Sequence, residues 1–418
     1  MTDERGTAAD VLRKVTAGGS YNNLALKEAL SADAGLSRGQ RGFVTDVVNG
    51  TLRNLLYIDY ILDSFSNVKT DKMKPFILAA LRTAVYQIFF SNRAPAGVVC
   101  DETVKLVRQR GFENLTGFVN AVLRGAVRGK GGLEPPGFPL IYSFPGWLAD
   151  YWAETYPFDT TIKMCAALND IPDVTLCANT LKTTARELKI RLGEENIVAT
   201  EGALSRNALR VTSSDIAGGA AYKEGLFHIM DEASMRAVEI LDPQPGAIMV
   251  DVCAGPGGKC AYAAELMRNT GKIFACDIYP HKLKLIEDAA ARLGVSIIET
   301  ALKNAETDAY PEADYILVDA PCSGFGLLRK KPEIKYRRTP EDIVSLAATQ
   351  KRMLANSSRY VKKGGALVYS TCTVSKKENE DAADWFLKNF PFRANGRAAY
   401  LPHEHGADGF FIARFVKT

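Results

Sequence analysis

The chain has 418 residues, more than one ordinary hydrophobic core requires, and is suited to two or three domains. Its 47% apolar and 24% charged composition fits a globular protein in water and excludes a fibrous or disordered chain. A net charge of +4 is only mildly basic, so charge alone does not mark a partner.

The opening MTDERGTAAD has no apolar core and reads as no secretory signal. Residues 1–128 show helical periodicity without strand alternation. Ser37 is placed to cap RGQRGFVTDVVNGTLRNLL, where Phe43, Val47, Val48 and Leu52 recur at helical spacing. Further helices are predicted over 55–65, 72–90, 95–110 and 113–127. The stretch PFILAALRTAVYQIFF is the most apolar, but Arg82 interrupts it and it is too short to span a bilayer. No membrane association is expected, and the expected compartment is the cytoplasm. GKGGLEPPGFP (129–139) carries four Gly and three Pro and reads as a linker. Residues 140–234 mix helices (146–156, 158–169), the strand DVTLCAN, the capped helix TTARELKIRLGEENI and the short strands ALRVT and LFHIMD, an α+β extension. From 235 to 418 strands and helices alternate, as in a parallel sheet covered on both faces. The strands are AIMVDVCA, KIFACDI, SIIETAL, ADYILVDA and ALVYSTCT, with DGFFIARFVKT as a final antiparallel strand. The expected architecture is thus multidomain: an all-α domain, a small α+β unit and a Rossmann-like α/β domain. With the linker isolating the helical core, a fragment starting near residue 140 is expected to fold alone.

Three features carry chemistry. The first is VDVCAGPGGKC (Val250–Cys260), between an apolar strand and a helix, where glycines let backbone approach a ligand at a helix N-terminus. About twenty residues on, the second strand ends in Asp277, placed to accept hydrogen bonds from ribose hydroxyls. The pattern is not GxGxxG, and the turn proline makes a nicotinamide nucleotide the poorer fit. Asp319 ends the fourth strand, so these positions converge where doubly wound sheets bind ligands. The second feature is a pair of thiols. DAPCSGFG (319–326) follows the fourth strand and STCT (370–373) closes the fifth, so Cys322 and Cys372 face one crevice. A thiolate adding to C6 of a cytosine makes C5 nucleophilic toward an electrophilic methyl group. Asp319 is the candidate to hydrogen-bond N3 and the exocyclic amine. The third is the basic run Arg329–Arg338 (RKKPEIKYRR), with six basic residues and one acidic, while residues 1–130 hold 18 Lys/Arg against 12 Asp/Glu. Such runs suit phosphate contacts and equally suit a solvated face. The other cysteines (Cys100, Cys165, Cys177, Cys253, Cys260 and Cys276) form no CxxC pair, and His403 and His405 lack nearby ligands, so no metal is expected.

DVCAGPGGK, DAPCSGFG, RKKPEIKYRR and YSTCTVSKKENE resemble the motifs of the RsmB (Fmu/Sun) group of bacterial 16S ribosomal RNA cytosine-5 methyltransferases. SRGQRGFVTDVVNGTLRN and ENLTGFVNAVLRG resemble the NusB-type RNA-binding helical domain fused to them. The resemblance runs over almost the whole chain. It implies S-adenosylmethionine as cofactor, held by Cys253, Ala254, Gly255, Pro256, Gly257, Gly258, Lys259, Asp277, Asn304 and Asp319. It implies Cys372 as nucleophile, Cys322 as the thiol that resolves the covalent intermediate, Asp319 beside them, and an RNA-contacting extension over 140–234. The basic residues Arg329, Lys330, Lys331, Lys335, Arg337 and Arg338 are the candidate RNA contacts, 16S rRNA the expected partner, and a monomer the expected state. The chain departs from the family in three places. Gly255 stands where the turn usually has alanine. Asn304 is nearest to an aspartate that normally follows the third strand. Thr373 stands where serine often follows the nucleophile. The alternatives are attack by Cys322, as in DNA cytosine-5 methyltransferases, a tRNA or other RNA substrate, and a non-catalytic RNA-binding or antitermination factor.

Overall fold

A computed structural model describes residues 3–33, 35–91, 93–212 and 216–418. The chain forms two compact units. The first runs to Asn169 and also takes in Leu328–Arg337; the second comprises Asp170–Leu327 and Arg338–Thr418.

The first unit is helical, with helices Glu4–Thr16, Asn22–Ala32, Arg38–Arg53, Leu55–Phe65, Pro75–Phe89, Ala96–Gln109 and Thr116–Gly129 before three shorter ones that end at Ala167. Ser37 and Gln40 form a reciprocal capping box at the start of the third helix. Pro75–Phe89, the apolar stretch that Arg82 interrupts, lies at the centre, with Phe76, Ile77, Ala80, Leu81, Ala84, Val85 and Ile88 buried. Arg82 itself reaches the rim, where its guanidinium donates twice to Asp59 at 2.7 Å. Gly50 admits the Tyr86 ring so closely that a β-carbon there would lie 2.0 Å from it. Residues 140–169 group with this helical unit.

Leu328–Arg337 also belongs to the helical unit, although it follows the DAPCSGFG motif in sequence. Lys335 is fully buried. Its ammonium donates to the Arg53 carbonyl (2.9 Å), the Asn169 side chain (3.0 Å) and the Tyr142 carbonyl (3.4 Å), and lies 4.3 Å from the Phe144 ring centre. The Arg53 guanidinium returns a bond to the Arg329 carbonyl.

The second unit holds two sheets among its described residues. β1 (Val174–Ala178), β2 (Ala199–Glu201), β3 (Ala208–Val211) and β4 (Phe227–Ile229) form an antiparallel sheet in the order β2-β3-β1-β4. β5 (Ile248–Asp251), β6 (Lys272–Asp277), β7 (Ile298–Leu302), β8 (Ala313–Asp319), β9 (Val361–Thr371), β10 (Phe392–Tyr400) and β11 (Phe410–Lys417) form the larger sheet. Its order is β10-β11-β9-β8-β5-β6-β7, with β5 to β9 parallel and the last two antiparallel. The order reverses between β5 and β8, which makes their carboxyl ends the crevice where such sheets bind ligands. β10 has no counterpart in the expected strands. It is an edge strand with mostly exposed side chains and a register break between Ala394 and Arg397, so its pairing rests on backbone hydrogen bonds that leave little apolar pattern.

Candidate active site

β5 ends at Asp251, and the turn Val252–Gly257 leads into the helix Gly258–Leu266. Gly257 takes φ +107°, a conformation open to glycine, and a β-carbon there would press on Ile286 at 3.1 Å. Asp251 is buried. It accepts from the Cys253 amide at 3.1 Å and contacts the Cys260 thiol at 3.2 Å. Burial, and then the negative charge of Asp319, raise its carboxyl to about 7.

Asp277, at the end of β6, turns back to this turn. Its Oδ2 accepts from the Gly255 amide (3.1 Å) and from Lys282 (3.2 Å), and its Oδ1 from the Tyr279 amide (3.1 Å). The space that an alanine methyl at position 255 would take is held by Lys282 Cδ, 2.4 Å from that point. The departure at Gly255 is therefore matched by the path of Lys282 and by the Asp277 carboxylate, whose Oδ2 lies 2.7 Å from the same point.

An open cavity of about 190 Å³ lies against the turn. Cys253, Ala254, Gly255, Pro256, Gly258, Lys259, Asp251 and Asp319 line it, and so do Met230, Asp231 and Ser234 from the segment just before β5. Sequence reasoning missed these last three. The available signal was Asp231 as N-cap of the helix Glu232–Leu241, its side chain accepting from the Ala233 amide. Asn304 does not line the cavity. It is exposed, two residues beyond β7, and its side-chain oxygen accepts from the Glu306 amide at 2.9 Å.

Asp319 joins this cavity to the thiols. Its Oδ2 accepts from Lys259 at 2.6 Å and its Oδ1 from the Ser370 hydroxyl at 2.7 Å, two residues before Cys372. The parallel pairing of β8 with β9 sets Asp319 opposite Ser370. The Ala320 amide donates to the Ser370 carbonyl and the Gly326 amide to the Cys372 carbonyl, which closes the Cys322 loop over the end of β9. Gly326 leaves no room for a β-carbon, since the Gly409 carbonyl oxygen would lie 1.8 Å away. In this arrangement the Cys322 and Cys372 sulfurs are 3.1 Å apart, Cys322 buried and Cys372 half-buried. The hydrogen bond with Cys372, then burial, then the charges of Cys372 and Glu378 push the Cys322 thiol well above the usual range. Cys253 and Cys260 are pushed well up by burial, and Cys276 to about 12.

The family model described as "16S rRNA methyltransferase RsmB/F" matches residues 238–416, "NusB family" matches 2–128, and "Methyltr_RsmF/B-like, ferredoxin-like domain" matches 144–216. "Probable ribosomal RNA small subunit methyltransferase B" of Bacillus subtilis is 37% identical, covering 100% of this chain and 99% of its own. The human "28S rRNA (cytosine(4447)-C(5))-methyltransferase" is 32% identical over 66% of this chain and 38% of its own. The crystal structure of PH0851 matches with a TM-score of 0.84 at 26% identity, over 100% of this chain and 99% of that one. The chain belongs to the RsmB/F family of rRNA methyltransferases.

This RsmB/F enzyme takes its methyl group from S-adenosylmethionine and transfers it to rRNA. The cavity lining fits that donor chemically, because the carboxylates of Asp231 and Asp319 would face its sulfonium and ammonium cations. The six basic residues that follow the Cys322 motif divide. Lys330 and Lys331 are exposed. Arg329 is 7% exposed and Lys335 is enclosed, so neither presents its charge to a phosphate. Arg337 donates to the Val15 and Ser20 carbonyls, and Arg338 to the Ser323 and Cys322 carbonyls. Their charge hydrogen-bonds protein carbonyls because those helix ends and loops leave acceptors with no backbone donor. Among the described residues no group of three or more His, Cys, Asp or Glu is arranged to hold a metal, and no helix is long and apolar enough to cross a membrane.

Proposed function

We propose that this RsmB/F enzyme methylates carbon 5 of a cytosine in 16S rRNA through a covalent bond between Cys372 and C6. The observation that carries the reading is the 3.1 Å contact between the two thiols, at the ends of adjacent parallel strands and beside the Lys259–Asp319 pair. Cys322 is held as a thiol, which leaves Cys372 as the attacking group in this reading, and Lys259 lies close enough to interact electrostatically with it. The Cys372 thiolate forms the S–C6 bond, and the C5–C6 electron pair moves onto the ring. Asp319 hydrogen-bonds N3 and the exocyclic amine, while Lys259 and Ser370 hold its carboxylate in place. When bound, S-adenosylmethionine would supply an electrophilic methyl to C5, its S–CH3 bond breaking to leave the neutral thioether S-adenosylhomocysteine. The C5 proton then passes to water, its bonding pair re-forms the C5–C6 double bond, and the S–C6 bond breaks with Cys372 leaving as thiolate, Cys322 assisting this resolution. Asp277 and the Cys253–Lys259 turn bind the donor. Lys330 and Lys331 contact RNA phosphates, and the NusB-like helices and the extension bind further RNA. The enzyme acts as a monomer in the cytoplasm. The cytosine-C5 activity in the human relative's name supports this choice of atom.

The test separates the cysteines. Incubated with rRNA and S-adenosylmethionine, Cys372→Ala is expected to form no adduct and no product. Cys322→Ala is expected to accumulate a protein–RNA adduct that survives denaturing electrophoresis, because losing the resolving group preserves the intermediate. An adduct with Cys372→Ala and none with Cys322→Ala would reverse the roles.

A further inference from the structure

We propose that Glu378 is a positioning residue that sets the two catalytic cysteines against each other, with Asn379 completing the arrangement. This rests on the reading of Cys372 as attacking thiolate and Cys322 as resolving thiol.

Glu378 follows β9, shortly before the helix Glu380–Asn389, and is fully buried. Its Oε1 accepts from the Ser323 amide (2.8 Å) and the Gln350 side chain (3.1 Å), and its Oε2 from the Ser323 hydroxyl (2.5 Å). Gln350 also donates to the Pro321 carbonyl at 3.0 Å. The residues on both sides of Cys322 are thus tied to one carboxylate and its glutamine partner. Since the Ser323 hydroxyl donates to Glu378, its 2.7 Å contact with the Thr373 hydroxyl has threonine as the donor. One carboxylate therefore reaches, through a single serine, the neighbour of each cysteine.

Asn379 does the same for the other thiol. Its side-chain oxygen accepts from the Thr371 hydroxyl and its amide donates to the Thr373 carbonyl at 3.0 Å, so it brackets Cys372 on both sides. The Glu378 carbonyl in turn accepts from the Tyr369 hydroxyl within β9. An unpartnered carboxylate here would be costly, and the bonds from Ser323, Gln350 and the Ser375 side chain do not cancel its burial, which keeps the Glu378 carboxyl above the usual range. A buried acid held at that expense between two nucleophile-bearing loops has a use in fixing geometry. Enclosure denies it the substrate, so it acts through the cysteines.

The full chain is tested as Glu378→Ala, Glu378→Gln and Ser323→Ala, with kcat and KM on an rRNA transcript, S-adenosylmethionine affinity and melting temperature. Glu378→Ala is expected to lose kcat by about 100-fold, the loss that goes with a reacting group displaced by about an ångström, while KM and donor affinity hold within about twofold. Glu378→Gln retains an oxygen for the Ser323 amide and is expected to recover about tenfold of that loss. An unchanged kcat in Glu378→Ala would overturn the proposal. So would kcat, donor affinity and melting temperature falling together without recovery in Glu378→Gln, which marks an acid that only holds the fold. If Glu378→Ala does not fold, Ser323→Ala decides, since it removes the hydroxyl that joins Glu378 to Thr373 and keeps the Ser323 amide bond to the carboxylate: a comparable kcat loss supports the proposal and an unchanged kcat overturns it. Cys372→Ala is the control. Activity retained there overturns the reading of the cysteines and this proposal with it, whereas activity lost there but kept in Glu378→Ala overturns this proposal alone.

Discussion

Beneath the cofactor turn, Glu265 and His228 show how burial alone rearranges protons. Glu265 Oε2 accepts from the Thr180 amide at 3.0 Å, while its Oε1 lies 3.7 Å from His228 Nδ1. Burial raises the glutamate to about 8 and lowers the histidine to about 4. Between pH 4.5 and 6.5 the unfolded chain carries the proton on histidine and the folded chain carries it on glutamate, so their effects on stability cancel. Above 6.5 the unfolded pair holds no proton and the folded pair still holds one, so stability falls as pH rises to about 8. Glu265→Gln removes the titrating group and keeps an oxygen for Thr180. Its stability relative to wild type is expected to rise by about 2 kcal/mol between pH 6.5 and 8, read by urea unfolding at both values; a constant difference would show that the glutamate is charged throughout. Asp277 is the residue-scale test of the cofactor site. Asp277→Ala removes carboxylate bonds worth about 1.5–3 kcal/mol each, and calorimetric titration is expected to show S-adenosylmethionine affinity reduced by at least tenfold.

At the scale of elements, RKKPEIKYR (Arg329–Arg337) is a strap of the helical unit as much as a basic patch. Lys335→Ala deletes a buried stem and leaves the Arg53 carbonyl and the Asn169 side chain without their donor, an expected cost of about 3 kcal/mol in denaturant unfolding. Neutralising Lys330 and Lys331 is expected to leave stability unchanged and to flatten the salt dependence of RNA binding by about 0.7 for each phosphate no longer neutralised. A Lys335→Ala variant as stable as wild type would show that its ammonium is dispensable to the helical core. An unchanged salt slope for the double variant would make Lys330 and Lys331 a solvated face.

For the whole molecule, the chain passes between its two units at Asn169–Asp170, Leu327–Leu328 and Arg337–Arg338, so the sequence boundary near 129–139 does not cut between them. A fragment of residues 140–418 lacks the carbonyls of Val15, Ser20 and Arg53 that receive Arg337 and Lys335. The fragment is therefore expected to melt well below the full chain and with less cooperativity, contrary to what the linker alone implies. Thermal unfolding at the full chain's midpoint would show that the strap needs no helical unit.

Period and local chemistry made most elements legible in the sequence alone. Ser37 with Gln40 and Thr184 with Glu187 cap their helices as their spacing predicts, because a capping box is made within four residues. The alternation after 235 produced the parallel sheet, and a parallel sheet brings the ends of its strands to one crevice. That is why Cys322 and Cys372, fifty residues apart, stand 3.1 Å from each other. The sequence by itself therefore determined the helical, mixed and Rossmann-like composition, the family and the pairing of motifs. Burial is different, because it depends on what the rest of the chain packs against a residue. Only the tertiary structure decided that Lys335 is enclosed while Lys330 is exposed, that Asn304 is held by its own turn, that Asp231 lines the cavity, and that Glu378 holds the serine next to Cys322.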